Sequence, residues 1–259
     1  MSKKAVLFLV DGMRADALAA TQTPTMDKMM KNGSYTLSAR TVMPSVTLPS
    51  HASLFFSVPT TRHGILTNTW HPMARPLPGL FDVLHKNDLI CASFYNWEQL
   101  RDLSSPGALA ASFMLSNLDQ PVGEADFELT RFALDWLTIH DFDFAFIYLG
   151  QTDEVGHSQS WMSDPYLESI HAADICMRMV MEVLPPETNY FVTADHGGHT
   201  RHHGTPMKED MTIPILAMGP DMPQGKELGE DCSITDIAPT IAALFGVKIP
   251  RQWSGKSLF

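Results

Sequence analysis

Three short strand-like runs, each followed within a few residues by an acid, constrain this chain more than anything else in it. Lys4 to Val10, Phe144 to Leu149 and Asn189 to Ala194 are nearly continuous apolar and β-branched stretches. That is the pattern of strands buried on both faces of a parallel sheet. Asp11-Gly12 breaks the first run, Gln151 to His157 follows the second, and Asp195 ends the third. Open α/β sheets place their ligand sites outside the carboxyl ends of such strands. An acid there can equally cap the next turn, so position alone leaves Asp11 open between the two roles.

The stretches between these runs carry helical signals. Thr23 to Asn32 has Pro24 early and Gly33 as a stop, and Pro165 to Leu184 has an apolar side through Ile170, Ala173, Met177 and Val180. Gly79 to Lys86, Glu124 to His140 and the segment opened by Ser233-Ile234-Thr235-Asp236 are further helices. Tyr35 to Val42, Leu89 to Tyr95 and Ile213 to Met218 are further strands. Strands alternating with helices predict an α/β fold, a three-layer α/β/α sandwich around a mostly parallel sheet. The 259 residues suffice for a single catalytic domain over 1–259. Asn96 to Pro121, with Ser104-Ser105-Pro106-Gly107, reads as a loop-rich excursion or small lid, a reduced cap.

Lys+Arg number 18 against Asp+Glu 29, a formal charge of −11 that repels a nucleic-acid backbone, so no nucleic-acid groove is expected. A small phosphorylated substrate held by bound cations remains compatible with that charge. Cys91, Cys176 and Cys232 are odd in number and show no paired spacing, which fits reduced thiols. The run Ala5 to Val10 is too short for a signal peptide or a membrane span. A cytoplasmic location is the expectation, with no membrane contact.

The chemistry-bearing residues fall into three groups. Pro44 to Ser57 is a proline-marked turn leading into an apolar helical run, and Thr47 sits at the junction. Threonine is a favoured N-cap and Pro49 suits the first turn, so the hydroxyl is either a cap or a nucleophile at a helix N-terminus. Asp153 and His157 are four apart, on one face of a helical turn, as a surface pair or as two ligands of one cation. Asp195-His196-Gly197-Gly198-His199 is followed by His202-His203-Gly204, with glycines that let the backbone turn sharply. Acids and imidazoles at the ends of three strands, beside a threonine-tipped helix, point together to a metal site. Mixed imidazole and carboxylate ligands suit Zn²⁺, with Mn²⁺ or Fe as alternatives.

With these motifs in hand, the chain resembles the alkaline phosphatase superfamily, and within it the nucleotide pyrophosphatase/phosphodiesterase branch. The resemblance runs through Val10-Asp11-Gly12-Met13-Arg14, Pro44 to Asn68, Tyr148 to His157, Thr193 to Gly204, Thr235 to Thr240 and the tail from Ile249. It leaves Asn96 to Pro121 unmatched. It implies two divalent metal ions, one held by Asp153, His157 and His203, the other by Asp11, Asp195, His196 and the Thr47 oxygen. It implies Thr47 as nucleophile, forming a phosphothreonine-type intermediate, with Asn68 binding a non-bridging oxygen. His199 and His202 are then neighbours of the site, and His51 and His63 serve packing and loop geometry.

In that branch an aromatic after the nucleophile and a tyrosine before the second metal motif sandwich a base. Here the two positions hold Leu48 and Tyr148, and Tyr148 is equally suited to a packed core strand. The implied activity is phosphodiester or pyrophosphate hydrolysis of a small, nucleotide-sized substrate. A phosphomonoesterase or phosphonate hydrolase would use the same core, and Arg14, Arg62 and Arg201 are the candidates to clamp a dianion. A sulfatase is disfavoured because Thr47 stands where a Cys/Ser-x-Pro-x-Arg pattern would need Cys or Ser. A cofactor-independent phosphoglycerate mutase shares the architecture, but usually has a serine nucleophile and a larger inserted domain. A non-catalytic binding module is the reading from another class, and it would be expected to have lost ligands.

Overall fold

The computed structural model describes residues 3–116 and 124–259. In chain order these form β1 (Lys4–Val10), α1 (Pro24–Asn32), β2 (Ser34–Arg40), α2 (Thr47–Phe56), the single turn α3 (Thr60–His63), α4 (Leu80–His85), β3 (Cys91–Tyr95) and β4 (Ala111–Met114). There follow α5 (Ala125–Ile139), β5 (Phe144–Leu149), α6 (Gln151–Gln159), α7 (Asp164–Val183), β6 (Thr188–Thr193), the turn α8 (Lys208–Met211), β7 (Thr212–Met218), β8 (Lys226–Glu227) and α9 (Ile237–Leu244).

The strands make one sheet in the order β4-β3-β5-β1-β6-β7-β2-β8. Strands β4 through β6 run parallel, and β7 is antiparallel to both of its neighbours. Helices α1, α5, α6 and α7 pack together as one layer, and α2, α4 and α9 pack together as the other. The fold is the three-layer α/β/α sandwich around a mostly parallel sheet that the strand pattern predicts.

The centre of the sheet explains the three runs. β1 lies between β5 and β6, with Val10 opposite Leu149 and Leu9 opposite Thr193. Ala5 to Val10 and Phe144 to Leu149 are buried throughout, since helices cover both faces. The register brings the carboxyl ends of all three strands level. Asp11, the start of α6 and Asp195 therefore emerge side by side.

Within the stretch read as a loop-rich excursion or small lid, a 3-10 turn (Glu98–Leu103) leads to β4, which extends the sheet beyond β3. The remainder of that expected excursion, from 117 to its end at 121, lies outside the described residues. One expectation is corrected: Thr47 is not the N-cap. Val46 has the extended cap conformation and Thr47 begins the helix. The N–H of Leu48 instead donates to Asn68 Oδ1 at 3.0 Å, from a loop twenty residues on. That bond satisfies one of the free N–H groups in the helix's first turn. Among the described residues, no helix is long and apolar enough to cross a membrane.

Candidate functional site

Asp11, Thr47, Asp153, His157, Asp195, His196 and His203 converge at the carboxyl ends of β1, β5 and β6. His196 Nε2 lies 3.2 Å from Asp195 Oδ2, 3.4 Å from Asp11 Oδ1 and 3.3 Å from Thr47 Oγ1. Asp153 lies 3.4 Å from His157 Nε2 and 3.8 Å from His203 Nε2, and those two nitrogens are 3.1 Å apart. The His196 and His203 rings stack with centroids 3.9 Å apart, joining the two groups. Asp11, Asp195 and His196 offer ligand atoms close enough together to hold one ion, as do Asp153, His196 and His203.

The hydrogen bonds fix which atoms are available. Carbonyls only accept, so each imidazole must carry its proton on Nδ1: His157 donates to Arg201 O (2.9 Å), His196 to Gly197 O (2.8 Å) and His203 to Ser45 O (2.9 Å). With the proton there, each ring in its neutral form turns an Nε2 lone pair into the site, the orientation that metal-binding histidines need. The carboxylates are prepared in the same way. Asp195 Oδ1 accepts from Gly12 N at 3.1 Å, and Asp11 Oδ2 accepts from the Tyr148 hydroxyl.

Asp11 Oδ1, Asp153 Oδ1 and Asp195 Oδ2 are buried without a hydrogen-bond partner among the described residues. Three orphaned carboxylate oxygens in one place are costly unless a cation joins them. Burial, with the charges of Asp195 and Asp153, pushes the Asp11 carboxyl well up, and burial raises Asp195. Burial also acts to raise Asp153, but its bond to His157 and the neighbouring imidazoles outweigh it and hold that carboxyl below its usual value. Burial lowers His196 and His203, which favours the neutral rings required of ligands. The residues present therefore fit a pair of divalent ions.

A pocket of about 120 Å³ opens onto this cluster, with Thr47, Asn68, His157 and His203 among its walls. A larger cleft of about 570 Å³ lies elsewhere, beside Lys28 and Arg178, and includes none of these side chains. Asn68 reaches the pocket from the loop after α3. Tyr148 also lines it, but the ring is almost wholly buried and its hydroxyl is committed to Asp11. Leu48 is fully buried in the core. Its side chain offers no surface to a substrate, which corrects the expectation of a substrate-binding role there.

Trp97 and Glu154 are pocket residues that sequence reading missed. Trp97 lies in the stretch that no motif covers, and Glu154 is masked by the Asp153 and His157 pair that brackets it. Neither Arg14, Arg62 nor Arg201 lines the pocket. Arg14 is engaged by Asp16 and Gly198 O, and Arg62 by Gln252 O. His199 turns to Asp210 at 2.7 Å, and it pairs through the backbone with His202. His51 is buried with Nδ1 on Thr47 O, and His63 is held between Ser53 and Ile65.

Asp126, on α5, anchors the helix that carries Asp153 and His157. Its buried carboxylate accepts from Asn96 Nδ2 (2.6 Å), Gly150 N (3.1 Å) and Gln151 N (3.4 Å), tying the ends of β3 and β5 to the start of α6. Burial pushes the carboxyl up to about 7, against the pull of those donors. A carboxyl raised on folding stabilises fully at pH values below its unfolded value, and that contribution fades as pH climbs to the folded value. Wild type should therefore lose stability relative to Asp126→Asn between about pH 4 and pH 7, with a constant difference above. Urea midpoints of both proteins across that range check this, and a gap that does not change with pH would contradict it.

Comparisons with known proteins follow the same lines. The metalloenzyme superfamily model matches residues 116–249, and the type I phosphodiesterase/nucleotide pyrophosphatase model matches residues 5–87. The chain is 29% identical over 159 residues to a 2,3-bisphosphoglycerate-independent phosphoglycerate mutase of Clostridium novyi (strain NT), covering 59% of this chain and 30% of that protein. A mutase of Clostridium kluyveri is 30% identical over 138 residues, covering 51% of this chain and 26% of that protein. The matched stretch thus spans less than a third of these relatives' own length.

Among solved structures, murine ectonucleotide pyrophosphatase/phosphodiesterase 5, an inactive variant in complex with AMP, aligns with a TM-score of 0.79 at 15% identity, covering 96% of each chain. The phosphonate monoester hydrolase of Silicibacter pomeroyi aligns at 0.78 and 16% identity, covering 99% of this chain and 76% of that one. A 2-O GAG sulfatase aligns at 0.79 and 15% identity, covering 100% of this chain and 73% of that one. The superfamily model spans more than half of the chain, including Asp153, His157, Asp195, His196 and His203, and the protein belongs to the metalloenzyme superfamily.

Proposed function

We propose that this protein hydrolyses phosphodiester or pyrophosphate bonds of a small substrate, with Thr47 as the nucleophile. The observation that carries the reading is the setting of Thr47 Oγ1. It stands in the first turn of α2, 3.3 Å from His196 Nε2, beside three orphaned carboxylate oxygens. Asp153, His157 and His203 would hold one divalent ion, and Asp11, Asp195, His196 and Thr47 Oγ1 the other. The donor set suits Zn²⁺, with Mn²⁺ or Fe as alternatives. When bound, the ions supply Lewis-acid charge that favours the ionised threonine and the departing oxygen.

The chain's own residues do the rest. The N-terminal end of α2 adds positive potential at Thr47. Thr47 Oγ1 forms the bond to phosphorus, the bond to the leaving oxygen breaks, and the resulting phosphothreonine ester is cleaved by water. Asn68 Oδ1 is occupied by Leu48 N, which leaves its Nδ2 to donate to a non-bridging oxygen. Asn68→Ala should lower kcat by about 10²–10³-fold, the cost of losing one oxyanion donor. A kcat unchanged in that variant would reduce Asn68 to a loop anchor.

Charge favours a diester over a monoester. Among the described residues the pocket wall has no Lys or Arg, while Glu154 stands in it beside the cluster carboxylates. A dianionic monoester would find no side-chain cation in that wall. The family-model match over residues 5–87 and the AMP complex of the murine neighbour support a small nucleotide-like substrate. A mutase activity has less support, because the matched stretch covers under a third of those relatives.

The test is a rate panel on the metal-loaded protein with bis-p-nitrophenyl phosphate, p-nitrophenyl phosphate and a p-nitrophenyl phosphonate. The diester should lead the monoester in kcat/KM by roughly tenfold or more, a difference of about 1.4 kcal/mol. A monoester preference would transfer the assignment to phosphomonoesterase. No turnover with any of the three, and no bound metal, would leave a binding module.

A further inference from the structure

Trp161 is unexplained by the reaction yet touches most of the segments that build the site. It lies in the short connection between α6 and α7, with Ser160 at φ +83° and Met162 at φ +64° on either side. Non-glycine residues rarely adopt that region, and two flanking one side chain mark a backbone bent to deliver it. The backbone N–H of Trp161 is tied to Thr200 O at 2.7 Å. Its ring turns inward and is almost wholly buried.

There the indole meets both halves of the candidate metal centre. Nε1–H donates to Gly12 O at 2.9 Å, the carbonyl next in chain to Asp11, and the Tyr166 hydroxyl donates to the same oxygen at 2.8 Å. The ring stands edge-on to His157, with centroids 5.0 Å apart, and 5.9 Å from His203. It also occupies the space that side chains would take at Gly156 and Gly198. A Cβ at either glycine would come within 2.7 Å or 2.3 Å of the indole. Gly156 precedes His157, and Gly198 follows the Asp195-His196 pair by two residues.

We infer that Trp161 is a positioning residue: it is the wedge that sets the spacing of the Asp11, His157, Asp195-His196 and His203 segments, so that both ions find their ligands already placed. The inference rests on the two-ion reading above. It gives the small residues at 156 and 198 a reason, since both segments must close on one flat ring. It also gives the strained connection a reason, because a relaxed one would not deliver the indole inward.

The test strips the full-length protein with a chelator and titrates it with Zn²⁺ against a chelating dye, and with Co²⁺ by visible absorption. Trp161→Leu removes the wedge, Trp161→Phe keeps most of the ring but not the N–H, and Trp253→Phe is the control. Trp253 is likewise buried, with its N–H on Pro78 O at 2.7 Å, in the tail of the chain. Wild type and Trp253→Phe should bind two equivalents equally well. Trp161→Leu should bind Zn²⁺ about 10–100-fold more weakly, the usual effect of losing support behind metal ligands, with an altered Co²⁺ spectrum. Trp161→Phe should fall between them. Wild-type affinity for both equivalents in folded Trp161→Leu and Trp161→Phe would overturn the inference while leaving the two-ion reading in place. A wild type that binds no ion would overturn that reading, and this inference with it.

Discussion

Thr47→Ala lowers turnover of bis-p-nitrophenyl phosphate by about 10⁴-fold or more, the scale of losing a nucleophile that acts together with its neighbours. The same variant folds normally. Thr47 makes no capping bond, and its hydroxyl meets His196 Nε2 at 3.3 Å, so alanine removes little packing and one long hydrogen bond. Its melting temperature should stay within a few degrees of wild type. Thr47→Ser restores the oxygen and should recover most of the rate. Acid-quenched wild type should carry a phosphoryl adduct on the peptide holding Thr47, and Thr47→Ala none. Turnover within tenfold of wild type in the alanine variant would remove Thr47 from the proposed role.

Asp195→Asn produces effects of opposite sign with and without metal. In the metal-free protein, Asp11, Asp153 and Asp195 crowd their carboxylates into a site where three oxygens have no partner. Burial raises both Asp11 and Asp195, so their ionisation on raising pH through the folded values destabilises the metal-free fold. Replacing Asp195 by a neutral isostere relieves that repulsion and keeps an oxygen for the Gly12 N–H, now 3.1 Å from Asp195 Oδ1. Metal-free Asp195→Asn should melt above metal-free wild type at pH 8.

Saturating metal reverses the order. An ion at about a thousand times its Kd contributes about 4 kcal/mol to stability. For a chain of this size that raises Tm by roughly 10 °C. Wild type should show that rise, larger at pH 8 than at pH 5, and Asp195→Asn should show little of it. Thermal melts of both proteins, with chelator and with Zn²⁺, read the effect. Equal metal responses in the two proteins would contradict the assignment of Asp195 to an ion.

The central strands were the most legible part of this fold, for a physical reason. β1, β5 and β6 are covered on both faces, so nearly every position is apolar, aromatic or β-branched and no alternation is needed to find them. Strand β4 was not legible. Its four residues alternate between half-buried and exposed at a sheet edge, inside a Ser/Pro/Gly-rich stretch that otherwise reads as loop. Long-range partners hid the details around Thr47. Threonine before an apolar helical run reads as a cap by local rules alone. Asn68, twenty positions later, supplies the acceptor for a first-turn N–H instead.

The candidate site divides in the same way. The acids and histidines announce themselves by type and spacing at strand ends, and the structure brings all seven of those side chains together. Orientation is not written locally. Tyr148 could face a substrate or the core, and only the packing of β5 beside β1 turns its hydroxyl to Asp11. Leu48 disappears into the core because α2 is buried on every side. Trp161 had no signal at all, since it stands alone in a short connection and the strained conformations around it fall on Ser160 and Met162 rather than on glycines.

Anomalous diffraction at the edge of the bound metal tests the central claim most directly, on crystals of the metal-loaded protein. The account predicts two peaks: one among Asp153, His157 and His203, the other among Asp11, Asp195, His196 and the Thr47 oxygen. A map with no peak at those residues, or with metal bound only elsewhere on the protein, would contradict it.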